Sequence, residues 1–199
     1  LQSARDLCDR YGSVLISDEV QRGVGRSGTF VAFEKAGVRP DVITLANLLA
    51  GGLPVGATLA RGPLAQTLRP GDHGSTFGGG PLVMQAASVV LDELTRGGLL
   101  QGLAPKAERL TAGLDALVAR HESASERRGC GWMQGLVLPD QAHAAQAAMG
   151  ELRFLVRTAA GDVLRLFPPF VLTSEQLDPA PSALHEVPTA LPQPLPCTS

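Results

Sequence analysis

Apolar and polar positions follow one another along this chain in a pattern that predicts strands and helices in turn. Short apolar runs at 14–16 and 42–45 predict buried parallel strands, and polar residues follow each run at its carboxyl end. A third strand is predicted over 55–60. Apolar residues at helical spacing predict helices at the chain start, from Pro81 onward and over about 99–121. The first part of the chain therefore belongs to the α/β class, in which ligands bind at the carboxyl ends of strands.

The pattern changes after about residue 121. Residues 127–138 predict one or two strands, 142–150 predict an alanine-rich helix, and short strands are predicted at 154–156 and 163–166. This order of elements indicates a second, smaller α+β domain over 122–177. The remaining stretch, 178–199, is rich in proline, which disfavours helix and central strand, so we expect a disordered tail there.

Composition limits the classes of function. The 199 residues are 44% hydrophobic and carry a net charge of -2, which gives no electrostatic reason to expect nucleic acid or an anionic membrane surface. No apolar run reaches the roughly 20 residues of a membrane helix. The three cysteines are scattered and no histidines lie at ligand spacing, so we expect reduced thiols, no metal site and a cytoplasmic protein. The chain lacks an initiator Met and opens at helical spacing, from which we expect a piece of a longer protein.

Three polar features are candidates for chemistry. Asp18 follows the first strand, a glycine-rich loop runs over 71–80, and Arg165 lies in the last predicted strand. From spacing alone the simpler interpretations are preferred: an aspartate that caps a turn, a plain turn, and an arginine paired with a nearby acid. A carboxylate at a strand end, backbone amides before a helix, and a planar guanidinium also suit cofactor, phosphate and carboxylate binding respectively.

Four segments of the sequence favour the binding roles over these simpler interpretations. Together they resemble the class-III, pyridoxal-phosphate-dependent aminotransferases of the acetylornithine or ornithine type over roughly residues 1–177; the segments are 16–26, 41–57, 73–79 and 162–169. The resemblance implies a fold-type-I transferase, with 1–121 as the carboxyl-terminal part of the large mixed-sheet domain that binds pyridoxal phosphate. It also implies 122–177 as the small α+β domain.

The resemblance also implies roles for particular side chains. Asp18 pairs with the pyridinium nitrogen of the cofactor, and Gln21 hydrogen-bonds near the phenolic oxygen of its ring. Ser75 and Thr76 belong to the phosphate-binding loop, in which the Thr76 hydroxyl reaches the cofactor of the partner subunit in a homodimer. Arg165 holds the α-carboxylate of the substrate.

Asn47 departs from the family pattern. The residues before it, 44–46, and the glycine-rich run 51–57 after it both match the family, so its place is that of the Schiff-base lysine. Asparagine has no basic amine and neither forms an imine nor carries a proton at neutral pH. The only lysines, Lys35 and Lys106, do not follow a predicted strand, and we expect both at the surface. We therefore predict an inactive chain that holds pyridoxal phosphate non-covalently at best.

The implied parent activity is amino transfer from N-acetylornithine, or a similar ω-amino donor, to the 2-oxo acid 2-oxoglutarate. Other class-III enzymes, which act on ornithine or 4-aminobutyrate or in lysine biosynthesis, share most of these motifs. Two further alternatives stay open for the chain itself. One is a non-catalytic subunit that pairs with an intact homologue, and the other is a remnant without function.

Overall fold

A computed structural model describes the backbone of residues 1–190 and the side chains of residues 1–187. The chain forms two compact units, one ending at Gly102 and the other starting at Leu103. This division lies earlier than the predicted boundary between 121 and 122. The difference arises because most of the long helix Leu99–Arg120, including its buried leucines, belongs to the second unit.

The first unit contains two α-helices, three strands and two short 3₁₀ helices. In chain order they are α1 (Gln2–Tyr11), β1 (Ile16–Asp18), a 3₁₀ helix (Ala32–Ala36), β2 (Val42–Leu45), β3 (Ala57–Ala60), a second 3₁₀ helix (Gly62–Gln66) and α2 (Pro81–Thr95). The predicted helix from Pro81 is confirmed, and proline at its first position fits because the amide there has no acceptor within the helix.

The three strands form one mixed sheet in the order β1-β2-β3. β1 runs parallel to β2, as predicted, and β3 is antiparallel to β2. The prediction that the first strand is buried is wrong, because Ile16 is 59% exposed. β1 lies at the edge of this sheet, and only the side chain of Ser17, on the opposite face, is covered.

Asp41 ties three elements of this unit together just before β2. One carboxylate oxygen accepts hydrogen bonds from the amide of Leu15, at 2.9 Å, and from Arg5 of α1, at 2.7 Å. The other accepts from Arg61, directly after β3, at 2.9 Å. Asp41 therefore joins α1 and β3 to the start of β2, and its bond to Leu15, just before β1, holds the parallel pair in register.

The second unit continues from the long helix, α3 (Leu99–Arg120). Its remaining elements are β4 (Glu126–Cys130), β5 (Met133–Val137), α4 (Ala142–Glu151), β6 (Arg157–Ala159), β7 (Val163–Leu166), α5 (Ser174–Leu177) and α6 (Pro179–Ala190). The strands form an antiparallel sheet in the order β4-β5-β7-β6. Leucines of α3 at helical spacing are buried in this unit together with Trp132, which confirms the predicted core role of that tryptophan.

The prediction of a strand at 154–156 is wrong. Those residues form the connection after α4, and the strand of this region is β6, three residues later. Leu155 is 99% exposed. A short apolar run has the same pattern in a strand and in an apolar connection, so periodicity alone did not separate them.

The predicted disordered tail is also wrong for its first part, which is helix α6. Pro179 and Pro181 lie in the first turn, where backbone amides have no acceptor within the helix and proline is tolerated. Leu184 and Val187 are buried, and this burial stabilises the helix against the cost of its prolines. Residues 191–199 of the predicted tail lie outside the described residues.

Candidate functional site at the carboxyl edge of the parallel strands

Asp18 is the last residue of β1 and lies opposite Thr44 of β2. Its Oδ1 atom accepts hydrogen bonds from the Thr44 hydroxyl, at 3.1 Å, and from the amide of Val20, at 3.0 Å. The turn-capping role that spacing favours is therefore present. Neither bond uses the Oδ2 atom, and the side chain is exposed. One carboxylate oxygen thus accepts both bonds and orients the side chain across two strands, and these bonds leave the other oxygen unused.

Glu19, next to Asp18, is a functional-region residue that the sequence reasoning missed. Its side chain is completely buried and accepts three hydrogen bonds. Oε1 accepts from the Ser17 hydroxyl at 3.1 Å and from the amide of Phe33 at 3.2 Å, while Oε2 accepts from the amide of Ala32 at 3.0 Å. These bonds fasten the start of the first 3₁₀ helix to the end of β1. No local sequence pattern indicates this role, because the two amides that Glu19 binds lie 13 and 14 positions further along the chain.

Gly23 closes the turn that follows Glu19. A Cβ atom at Gly23 would lie 2.7 Å from the carbonyl oxygen of Glu19 and 2.9 Å from Cδ2 of Leu45, so no other residue fits without movement. The amide of Gly23 donates to the same Glu19 carbonyl at 2.8 Å. Gln21 lies in this tight turn, three residues after Asp18, and its side chain is exposed.

Asn47 lies two residues beyond the end of β2 and is exposed. Because β1 and β2 are parallel, Asn47 and Asp18 both lie at the carboxyl edge of this strand pair. The backbone of Asn47 has a φ of 39°, in the left-handed region. Asparagine is one of the few residues other than glycine that adopt this region readily. The turn then continues with an amide–carbonyl bond from Leu49 to Ala46 of 2.9 Å.

Ser75 and Thr76 lie in the exposed loop before α2. The Ser75 hydroxyl accepts a hydrogen bond from the amide of Gly78 at 2.9 Å, and this bond closes the loop on itself. Within residues 1–190, no hydrogen bond joins this loop to Asp18 or Asn47. The neighbouring Phe77 is 90% exposed. No hydrogen bond among the described residues therefore fixes these two hydroxyls at the strand edge.

Arg165 belongs to β7 of the second unit, where it is half-buried. Its guanidinium lies 4.4 Å from the ring centre of Phe167. Bonds from α3 and from the turn between β4 and β5 hold the loop that follows: Nζ of Lys106 donates to the carbonyl of Leu172 at 2.8 Å, and Nε1 of Trp132 donates to the carbonyl of Pro169 at 3.3 Å. Lys106, predicted at the surface, is thus half-buried and bonded to this loop. The carbonyls it binds are more than sixty positions away in sequence, so no local pattern indicates them.

Two absences hold for the part of the chain that the structure describes. No group of three or more His, Cys, Asp or Glu side chains is placed to hold a metal ion. Within residues 1–190, no helix combines the length and the apolar character that a membrane crossing needs.

Comparison with known proteins assigns the family. Residues 1–187 match the family model described as Aminotransferase class-III. Acetylornithine aminotransferase of Mycobacterium tuberculosis is 44% identical over 188 residues, which cover 94% of this chain and 46% of that protein. The enzyme of the same name from Caldanaerobacter subterraneus is 39% identical over 189 residues, or 94% of this chain and 48% of that protein.

Solved structures agree. Acetylornithine aminotransferase from Elizabethkingia anophelis superposes with a TM-score of 0.89 at 29% identity and covers 96% of this chain and 49% of its own. Ornithine delta-aminotransferase of Plasmodium falciparum gives 0.87 at 29% identity and covers 94% and 49%. The fold is thus that of the pyridoxal-phosphate-dependent aminotransferases. The chain belongs to the class-III aminotransferase family, and it spans about half the length of the relatives it matches.

Proposed function

We propose that this chain is a catalytically inactive class-III aminotransferase of the acetylornithine type, with a site that binds pyridoxal phosphate without a covalent bond. The observation that carries the proposal is Asn47, exposed at the carboxyl edge of the strand pair that also presents Asp18. An amide at this position has no amine to attach the cofactor and no group to carry a proton at neutral pH. Transamination needs both functions from one lysine.

The remaining residues of the edge suit the cofactor. The Oδ2 atom of Asp18 takes no part in the bonds that orient this carboxylate, so it would accept a hydrogen bond from a protonated pyridine nitrogen. Gln21 presents an exposed amide in the following turn, where it would donate to the ring oxygen. When bound, pyridoxal phosphate supplies an electron sink for amino-acid chemistry. This chain's part is limited to holding and orienting that ring.

The acetylornithine type is supported by the names of curated relatives, such as the Mycobacterium tuberculosis enzyme, and by the presence of Arg165. A half-buried arginine beside an aromatic ring suits a substrate carboxylate, because its planar fork binds both oxygens. Ornithine is the runner-up donor, since ornithine aminotransferases superpose equally well. The co-substrate of the parent reaction would be 2-oxoglutarate.

A second candidate function is a non-catalytic subunit that pairs with an intact homologue. The loop with Thr76 favours it, because the loop is exposed and carries Phe77, a large apolar side chain that is 90% exposed. In such a pair the Thr76 hydroxyl would reach the cofactor phosphate of the partner subunit. Native mass spectrometry of the chain mixed with an intact acetylornithine aminotransferase should show a heterodimer, and Phe77→Ser should weaken it.

The main proposal is tested by pyridoxal phosphate binding to the full chain. Equilibrium dialysis should show reversible binding, and borohydride treatment should leave no cofactor mass on the peptide that contains Asn47. Asp18→Asn should weaken binding about tenfold, as expected for loss of one charge-assisted hydrogen bond. Asp6→Asn, an exposed aspartate on α1, is the matched control and should bind as before.

Asn47→Lys restores the missing amine. Borohydride should then fix the cofactor on residue 47, and peptide mapping separates this from chance labelling of Lys35 or Lys106. Transamination of N-acetylornithine by the unsubstituted chain would refute the claim of inactivity. Equal affinity of the Asp18→Asn variant would instead refute the assigned cofactor site.

A further inference from the structure

The second unit contains a cavity whose lining includes none of the residues assigned to the cofactor or the substrate. It has a volume of about 310 Å³ and lies between α3, the end of α4, the loop after β7 and the start of α6. Its deeper wall is formed by apolar side chains that are almost fully buried: Leu110, Met149, Leu166 and Leu177. The volume is at the lower end of the about 300–1,000 Å³ that is typical of small-molecule sites.

Arg153 is the one charged side chain among the described residues that line this cavity. It is exposed, so it lies at the rim rather than in the apolar interior. None of the ion pairs within the described part of the chain involves it. The cavity therefore combines an apolar interior with one positive charge at its opening, and it has no acidic group that would neutralise this charge.

The backbone at Arg153 is unusual as well. Its φ is 65°, in the left-handed region, and it ends α4 through a 2.9 Å bond from its amide to the carbonyl of Gly150. The next amide, of Phe154, donates to the carbonyl of Met149 at 2.8 Å. Glycine is the usual residue at this position after a helix, because a side chain there is strained. The arginine at a position that favours glycine, at the rim of an apolar cavity, is a second observation that does not depend on its charge.

We propose that this cavity binds an apolar monocarboxylate, such as a medium-chain fatty acid. The alkyl chain would lie against Met149 and Leu177, and the carboxylate would accept hydrogen bonds from the guanidinium of Arg153. Arg165 itself does not line this cavity, although the Phe167 ring against which its guanidinium lies does, and the proposal does not depend on the cofactor. An amino acid fits less well, because no acidic side chain among the lining residues would pair with its ammonium group.

Octanoate and octan-1-ol are the matched ligands for the test, because they share an alkyl chain and differ in the carboxylate. Trp132, the single tryptophan of the chain, bonds to the carbonyl of Pro169 on the cavity wall, so its fluorescence reports occupancy. Calorimetry gives an independent measure. Octanoate should bind the full chain saturably and about tenfold more tightly than octan-1-ol, as one charge-assisted hydrogen bond predicts.

Variants separate the charge from the cavity. Arg153→Gln should abolish the preference for octanoate, whereas Arg157→Gln, an exposed arginine of β6 outside the cavity, should keep it. Arg153→Gly should raise the thermal unfolding midpoint of the free chain and yet weaken octanoate binding, a split that a purely structural arginine does not give. Ala180→Leu, which fills the cavity from α6, should remove binding of both ligands.

The proposal is overturned by any of three results. These are no saturable octanoate binding by calorimetry, equal affinity of the unsubstituted chain for octanoate and octan-1-ol, or unchanged octanoate binding after Ala180→Leu. The last result would place the bound alkyl chain elsewhere on the surface.

Discussion

Replacing Glu19 with glutamine changes one atom in a fully buried side chain and should destabilise the edge that presents Asp18. The carboxylate accepts from the amides of Ala32 and Phe33 on different oxygens, at 3.0 and 3.2 Å. Glutamine keeps one oxygen and turns an NH₂ group toward the other amide, so at least one bond is lost and two donors face each other. A hydrogen bond to a charged group contributes about 1.5–3 kcal/mol, so we expect a loss of about 2–3 kcal/mol in the free energy of unfolding of the first unit.

The assay must report on the first unit alone, because the two units need not unfold together. Hydrogen–deuterium exchange of peptides from 16–36 across a urea series provides this. Glu34→Gln is the matched control: it lies in the same 3₁₀ helix, is exposed, and should change stability by less than about 0.5 kcal/mol. If Glu19→Gln costs no more than Glu34→Gln, the three hydrogen bonds do not hold the turn, and this reasoning fails.

Three further changes test other parts of the fold. Gly23→Ala should cost about 1–3 kcal/mol in the first unit, measured in the same exchange assay, because the new methyl group overlaps the Glu19 carbonyl. Asp41 accepts from the Leu15 amide and from Arg5, which lower its pKa from 3.8 to about 2. Its stabilisation is therefore fully present above about pH 4 and is lost as the pH falls toward 2, and Asp41→Asn should remove this part of the pH dependence of unfolding. Leu184→Ala should destabilise the second unit by about 2–5 kcal/mol in urea unfolding followed by tryptophan fluorescence, because its side chain is 1% exposed.

Each of these three substitutions has a control substitution at an exposed position. Gly74→Ala meets no atom within 4 Å, Asp92→Asn removes only an exposed pair with Arg96 at the end of α2, and Val171→Ala truncates a side chain that is 78% exposed. All three should leave stability within about 0.5 kcal/mol. A control that costs as much as its test variant would contradict the contact on which that prediction depends.

The elements that could be predicted are those whose residues carry their own local signal. The strand at 42–45 and the helix from Pro81 follow from apolar runs and a first-turn proline, and both form as expected. The helix α6 could not be predicted from composition, because the burial of Leu184 and Val187 by the second unit decides it. At 154–156 the apolar pattern was real, but the capping geometry at the end of α4 made those residues a connection.

The candidate site, like the fold, contains residues that could be predicted from the sequence and residues that could not. The motif positions Asp18 and Asn47 could be placed at one sheet edge from the sequence, since parallel strands end on the same side. Their roles toward the cofactor stay predictions. Glu19 and Lys106 could not be found, because the partners of Glu19 lie 13 and 14 positions away and those of Lys106 lie 64 and 66 positions away. Only the folded chain brings these groups together.

The backbone at Asn47 changes how its substitution should be understood. With φ at 39°, the position favours glycine or asparagine over lysine by about 1–2 kcal/mol, so the residue that removes the amine also relaxes the turn. Asn47→Lys therefore has two separable effects: it supplies an amine for the cofactor, and it strains the edge that holds the cofactor. A modest loss of stability in that variant is expected from the backbone alone and does not count against restored cofactor attachment. The two readouts must be measured separately, with Asn47→Gly as the variant that relaxes the same turn without an amine.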